Sequence, residues 1–169
     1  RIPWTQDFKT GYDWGSGPTQ QLTYGKGDGR DVKMPWELSR FYHAPLLAFA
    51  YQRTGNEIYL TELFSQIDDW IRENPLERGP NWMNAMEVGI RAANWCLALA
   101  SVRSCNPDFH TRFPEWNSRV VQSLYEHAVF IETHLEYGPL ISNHYLSDVV
   151  GLVYLGVFLK GLPESDRLC

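Results

Sequence analysis

Apolar residues recur along most of this chain at three- and four-residue intervals, the period of an amphipathic helix. A first helix is predicted from about Pro35 to Arg53, with Leu38, Phe41, Tyr42, Leu46 and Phe49 at helical spacing and Thr54-Gly55 as its stop. Pro45 has no N–H to give to the ladder, so it is expected to bend or break that helix. A second helix starts after Asn56 as N-cap and carries Leu60, Leu63, Phe64, Ile67, Trp70 and Ile71 on one stripe until Asn74-Pro75. Glu62, Asp68 and Asp69 fall on its other side. A third begins at Asn84, three residues before Glu87, which is the spacing of a capping box. It continues apolar on most sides through Met86, Val88, Ile90, Ala93, Leu97 and Leu99. The fourth runs from near Pro114 to about Leu135, with Val120, Leu124, Ala128, Ile131 and Leu135 on one face, and Gly138-Pro139 follows it. The fifth spans Ser142 to Lys160. Its first turns are polar, and Val149 to Leu159 holds no charge, so it is expected to be buried all round. Leu162-Pro163 then reads as the start of a sixth.

Helices three and five are apolar nearly all round, whereas two and four are amphipathic. Buried and half-exposed helices alternating in antiparallel hairpins are what a layered α/α toroid or solenoid requires. No alternating run of branched residues competes for a sheet. The fold class is therefore all-α, an incomplete (α/α) toroid built from helical hairpins. Residues 1–34 lack helical periodicity and read as an irregular arm, held on the domain by Trp4, Phe8 and Trp14. Its Gly25-Lys26-Gly27-Asp28-Gly29-Arg30 run is a loop, and no Gly-Lys-Ser/Thr follows to make it a phosphate cradle. Residues 35–169 form the toroid segment. Its sixth helix has no room to finish, so the segment is expected to be truncated at its C-terminal end.

Composition narrows the function classes. The 169 residues are 44% hydrophobic and 21% charged, which suits one domain with a real core. A net charge of −5, with no local concentration of Lys and Arg, argues against a nucleic-acid partner. The 11-residue uncharged run in the fifth helix is too short to span a bilayer, which takes about 20. Three cysteines, Cys96, Cys105 and Cys169, make no metal-ligand pattern, and no metal or other cofactor is expected. Seven Trp and nine Tyr are core material, and also what sugar rings stack on.

Two polar features carry candidate chemistry. Asn84, Glu87, Arg91 and Asn94 are separated by three, four and three residues and make one stripe on the third helix. Facing solvent, the stripe is an ordinary wet face with Glu87 and Arg91 as an i,i+4 pair. Facing a cleft, it is a row of binding groups. The second feature is Asn143-His144 at the start of the fifth helix, where unpaired N–H groups and the dipole favour an anion. Ser142 and Asn143 equally read as a helix cap beside an ordinary histidine.

Asp31 to Arg40, DVKMPWELSR, resembles the entry to the first helix of heparinase II/III-like polysaccharide lyases. The likeness continues through Ala50-Tyr51, Thr54-Gly55, Asp69-Trp70, Asn74-Pro75, Gly79-Pro80-Asn81-Trp82, Met86-Glu87, Ile90-Arg91 and Asn94-Trp95. Asn143-His144 and Gly151-Leu152 close it, and the arm joins in through Trp4, Asp7-Phe8, Gly11 and Trp14. No single motif is specific; their order and spacing together are. The resemblance implies an N-terminal toroid followed by further toroid helices and a β-sandwich. It implies a periplasmic or secreted lyase that cleaves uronate-containing polysaccharide by β-elimination. It places Asn143 and His144 as catalytic residues, Trp82, Glu87, Arg91 and Asn94 as substrate-binding residues in the cleft, and a proton-donating Tyr beyond Cys169. Two other readings stand beside it: a non-catalytic carbohydrate-binding or scaffold domain, and a glycoside hydrolase of similar fold using Glu87 and Asp148.

Overall fold

A computed structural model of the protein describes residues 1–138 and 142–160. The expected sixth helix at Leu162-Pro163 lies outside the described residues. The arm comes first. It contains a small antiparallel pairing of β1 (Gln6–Asp7) with β2 (Tyr12–Asp13), so it is not wholly irregular. Trp4 and Trp14 are buried, as expected, but Phe8 is 61% exposed and holds nothing down.

The predicted first helix is two helices, α1 (Lys33–Ser39) and α2 (Ala44–Thr54). The break falls at Phe41, before Pro45, and Pro45 sits harmlessly in the first turn of α2 where its missing N–H has no partner to lose. Phe41 takes a left-handed backbone with φ 58°. That conformation costs a bulky residue about 1–2 kcal/mol. Its ring is fully buried, stacked on Trp4 at 5.1 Å and edge-on to Trp95 at 5.2 Å, which offsets the strain by roughly 1.5–3 kcal/mol. The break turns the stripe of α2: Ala44, Ala48 and Tyr51 face the core, while Leu46 and Phe49, expected inside, are exposed.

The other helices follow their sequence signals more closely. In α3 (Glu57–Glu73) the Asn56 side chain accepts the Ile58 N–H, and Leu60, Leu63, Ile67 and Trp70 are buried. A 3-10 turn at Pro80–Trp82 leads to α4 (Ala85–Cys105), whose Asn84 cap accepts the Glu87 N–H at 3.0 Å. A short α5 (Phe109–Arg112), not anticipated, precedes α6 (Pro114–Thr133). Val120, Leu124, Ala128 and Ile131 of α6 are buried, and Leu135 lies beyond its end, 40% exposed. Last is α7 (Asn143–Phe158), capped by Ser142.

Helix α4 is the hub, touched by α2, α6 and α7. Met86 meets Asn143 near the starts of α4 and α7, Gly89 meets Gly151 further along, and Arg103 meets Phe158 near the far ends. The two helices therefore run parallel and begin at the same end of the domain. Their contact is backbone on backbone: a Cβ built on Gly151 would stand 2.6 Å from Gly89 Cα. Contrary to the expectation from hydropathy, α7 is not buried all round. Asp148, Gly151, Leu155 and Gly156 face inward, while Leu146, Val150, Val153, Tyr154 and Val157 are exposed. An exposed apolar helix face of this kind needs a cover. No described helix is long and apolar enough to cross a membrane.

Candidate active site at the shared start of two helices

The middle of the polar stripe of α4 does not face water, while Asn84 at its start edges a groove. Glu87 is 2% exposed and Arg91 is fully enclosed. Arg40, from just beyond α1, reaches Glu87 with Nε at 2.7 Å and Nη2 at 2.8 Å, a two-point ion pair that raises the arginine's affinity for its proton. The expected Glu87–Arg91 pairing therefore gives way to a partner 47 residues away. Glu87 also leaves the second half of the capping box unmade, its carboxylate being engaged by Arg40. Asn94, half-buried, donates to the Arg40 carbonyl at 2.8 Å, so two stripe residues hold one segment.

Arg91 lies over the rings of Trp70 and Trp82, at 4.0 and 5.2 Å. Its Nε donates to His127 Nε2 at 2.8 Å, and Nη2 to the Asn81 carbonyl at 3.3 Å. Burial pulls the guanidinium down to about 9, opposed by the charge of Glu87. His127 accepts at Nε2, so its proton is on Nδ1, donated to the Ser123 carbonyl at 2.6 Å. Burial and the neighbouring Arg91 push His127 well below the usual imidazole range. Trp82, 2% exposed, donates its indole N–H to the Asn74 carbonyl. Of the residues expected to touch a polymer, Trp82 edges a groove beside the site, while Glu87 and Arg91 are enclosed behind it.

In front of Glu87 and Arg91, α4 and α7 present their N-termini side by side. Asn143 and His144 occupy the first turn of α7, Asn143 exposed and His144 40% exposed at its side chain. The His144 N–H is taken by the Ser142 hydroxyl at 3.2 Å. Asn143 Nδ2 lies 3.9 Å from Met86 Sδ, a loose contact that leaves its amide available to a ligand.

Sequence reasoning passed over Glu136, which joins the two helix starts. Its Oε1 is 2.8 Å from His144 Nδ1, and its Oε2 accepts the Met86 N–H of α4 at 2.9 Å. Its own backbone N–H donates to Asp148 Oδ2 at 2.8 Å. Asp148 is buried, and burial together with Glu136 raises its carboxyl above the ordinary range. Glu136 lies past the end of α6, outside any helical period. The acidic residue just before Gly138-Pro139, ahead of a helix start, was the one hint available. Beside this cluster runs a groove of about 390 Å³ whose wall includes Gln20, Glu77, Asn84, His134 and Glu136.

Glu87 and Asp148 do not form a hydrolytic pair. One is buried against Arg40 and the other against the Glu136 backbone, so neither faces a glycosidic bond. Among the described residues, no group of three or more His, Cys, Asp or Glu is placed to hold a metal ion.

Comparison with known proteins agrees with the fold. Residues 4–167 match the family described as heparinase II/III N-terminus. A heparin-sulfate lyase of Bacteroides stercoris is 24% identical over 152 residues, covering 80% of this chain and 22% of that protein. The crystal structure of heparan sulfate lyase HepC from Pedobacter heparinus superposes with a TM-score of 0.69 over 93% of this chain, at 24% identity. A mutant of the same lyase gives a TM-score of 0.69 at 23% identity. This chain spans about a quarter of the length of the relatives it matches. With the helical architecture, the arm and the paired helix starts all in place, the chain belongs to the heparinase II/III N-terminal family.

Proposed function

We propose that this chain is the N-terminal toroid part of a periplasmic or secreted polysaccharide lyase that cleaves uronate-containing chains by β-elimination. One observation carries the reading: in a chain of this family, Asn143 and His144 stand partly exposed at the coincident N-termini of two parallel helices. Elimination removes the proton α to the uronate carboxylate. The electron pair forms the α,β double bond, the β carbon–oxygen bond breaks, and the departing glycosidic oxygen takes a proton. A carboxylate resists the extra charge, so the site must neutralise it by hydrogen bonding and stabilise the enolate-like transition state. Asn143 supplies an amide N–H, and the two helix dipoles supply positive potential where that charge develops. His144 accepts the α proton as general base. The rest of the cleft, with the proton donor to the leaving oxygen, is assigned to toroid helices and a β-sandwich beyond this chain.

The test is ultraviolet-detected release of unsaturated uronate by the full-length protein on a panel of uronate polymers. Asn143→Ala should lower turnover about 100- to 1000-fold, the usual loss for an oxyanion donor. His144→Ala should lower it by about 100- to 10,000-fold. Both variants should melt close to the parent, because both side chains lie outside the packed face of α7. Near-normal turnover in either would remove that residue from the mechanism.

A further inference from the structure

We infer that Glu136 is a positioning residue for His144, fixing the imidazole proton on Nδ1 so that Nε2 is left bare to act as the base. The inference rests on the role proposed above for His144, although its first readout does not require substrate. Three bonds hold Glu136. Its backbone N–H is anchored by Asp148 at 2.8 Å, Oε2 takes the Met86 N–H at 2.9 Å, and Oε1 reaches His144 Nδ1 at 2.8 Å. A carboxylate only accepts, so the short contact at Oε1 requires a proton on Nδ1. Among the described residues, the hydrogen bond made by the His144 ring runs through Nδ1.

Capping of α4 does not account for this arrangement. Glu136 satisfies one N–H of α4 with a single oxygen, and Asn84 already satisfies the next at Glu87. The second oxygen serves the histidine alone. Nor does an ordinary surface ion pair. Such pairs are worth little because two long side chains must be ordered to make them. Here the carboxylate is already held by the Met86 N–H, and the Glu136 backbone by the Asp148 side chain, so orienting the imidazole needs little further ordering. The anchor itself is a buried acid, Asp148, whose other oxygen finds no partner among the described residues. Burying an acid this way costs stability, and what it secures is the position of Glu136.

The experiment uses the full-length protein labelled with ¹⁵N at histidine, with the His144 signals identified by their loss in His144→Gln. In the parent, Nδ1 carries the proton and Nε2 is bare. Glu136→Ala should move the proton to Nε2, and should lower kcat by about 10- to 100-fold, the usual loss when a histidine's orienting partner is removed, with KM changed less than about threefold. Glu136→Gln is the second variant, in case the alanine protein does not fold. Its single amide oxygen can accept from Met86 or from His144 but not from both, so it should fall between parent and alanine. An unchanged tautomer in a folded variant, or a moved tautomer with unchanged kcat, overturns the positioning role. A tautomer that moves in a protein whose parent eliminates no uronate polymer supports the contact and sinks the lyase reading instead.

Discussion

Replacing Gly151 by Ala tests whether the contact between α4 and α7 sets the candidate site. The new methyl would lie 2.6 Å from Gly89 Cα and 3.1 Å from its carbonyl oxygen. Carbon atoms in ordinary contact stand about 3.5–4.0 Å apart, so the helices must separate by roughly 1 Å. Both obstacles are backbone, and no change of rotamer relieves them. Overpacking of this kind costs about 1–3 kcal/mol. Alanine recovers up to about 1 kcal/mol of helix propensity, which is too little to offset the clash. A net loss of roughly 1–2 kcal/mol should lower the melting temperature by about 2–8 °C in a unit of this size. The effect on turnover should be larger than the effect on stability. Gly151 is eight residues from Asn143, about 12 Å along the axis, and a rigid helix carries the displacement to its start. Misplacing reacting groups by about 1 Å costs on the order of 100-fold. Gly17→Ala is the control, since a Cβ there meets nothing within 4 Å. The assay pairs thermal melting with ultraviolet-detected elimination by the full-length protein. If Gly151→Ala melts with the parent and turns over normally, the backbone contact does not govern the site.

Two further outcomes are expected. Buried His127 is held neutral, its affinity for a proton pushed down by burial and Arg91, so the folded state binds fewer protons than the unfolded chain. Stability should therefore be intact above pH ~6.5 and fall as pH drops below it, and His127→Gln should lose that part of the pH dependence in melting curves. Arg40→Leu strands Glu87, which is 2% exposed, and should cost about 3–5 kcal/mol in denaturant unfolding, whereas Arg40→Leu with Glu87→Leu should recover much of the loss.

Local signals in the chain settled several helix caps and the buried faces of α3 and α6. Asn56, Asn84 and Ser142 cap where their short polar side chains stand before apolar periods, and Gly55 stops α2 with φ 64°. Those choices depend on a few neighbouring residues, so they are legible in order along the sequence. The pairing of Asn143 with His144 at a helix start was legible for the same reason. What each charged group faces was not. On α4 alone, Glu87 and Arg91 look like a solvated pair; Arg40 from the end of α1 and His127 from α6 make them buried supports instead. Pro45 was the local candidate for a helix break, yet the break belongs to Phe41, because the space between Trp4 and Trp95 exists only after folding. Glu136 sits in a connection with no periodicity, and its meeting with His144 follows from two helices starting at one end. Burial and ion pairing depend on elements distant in sequence, and only tertiary packing brings those elements together.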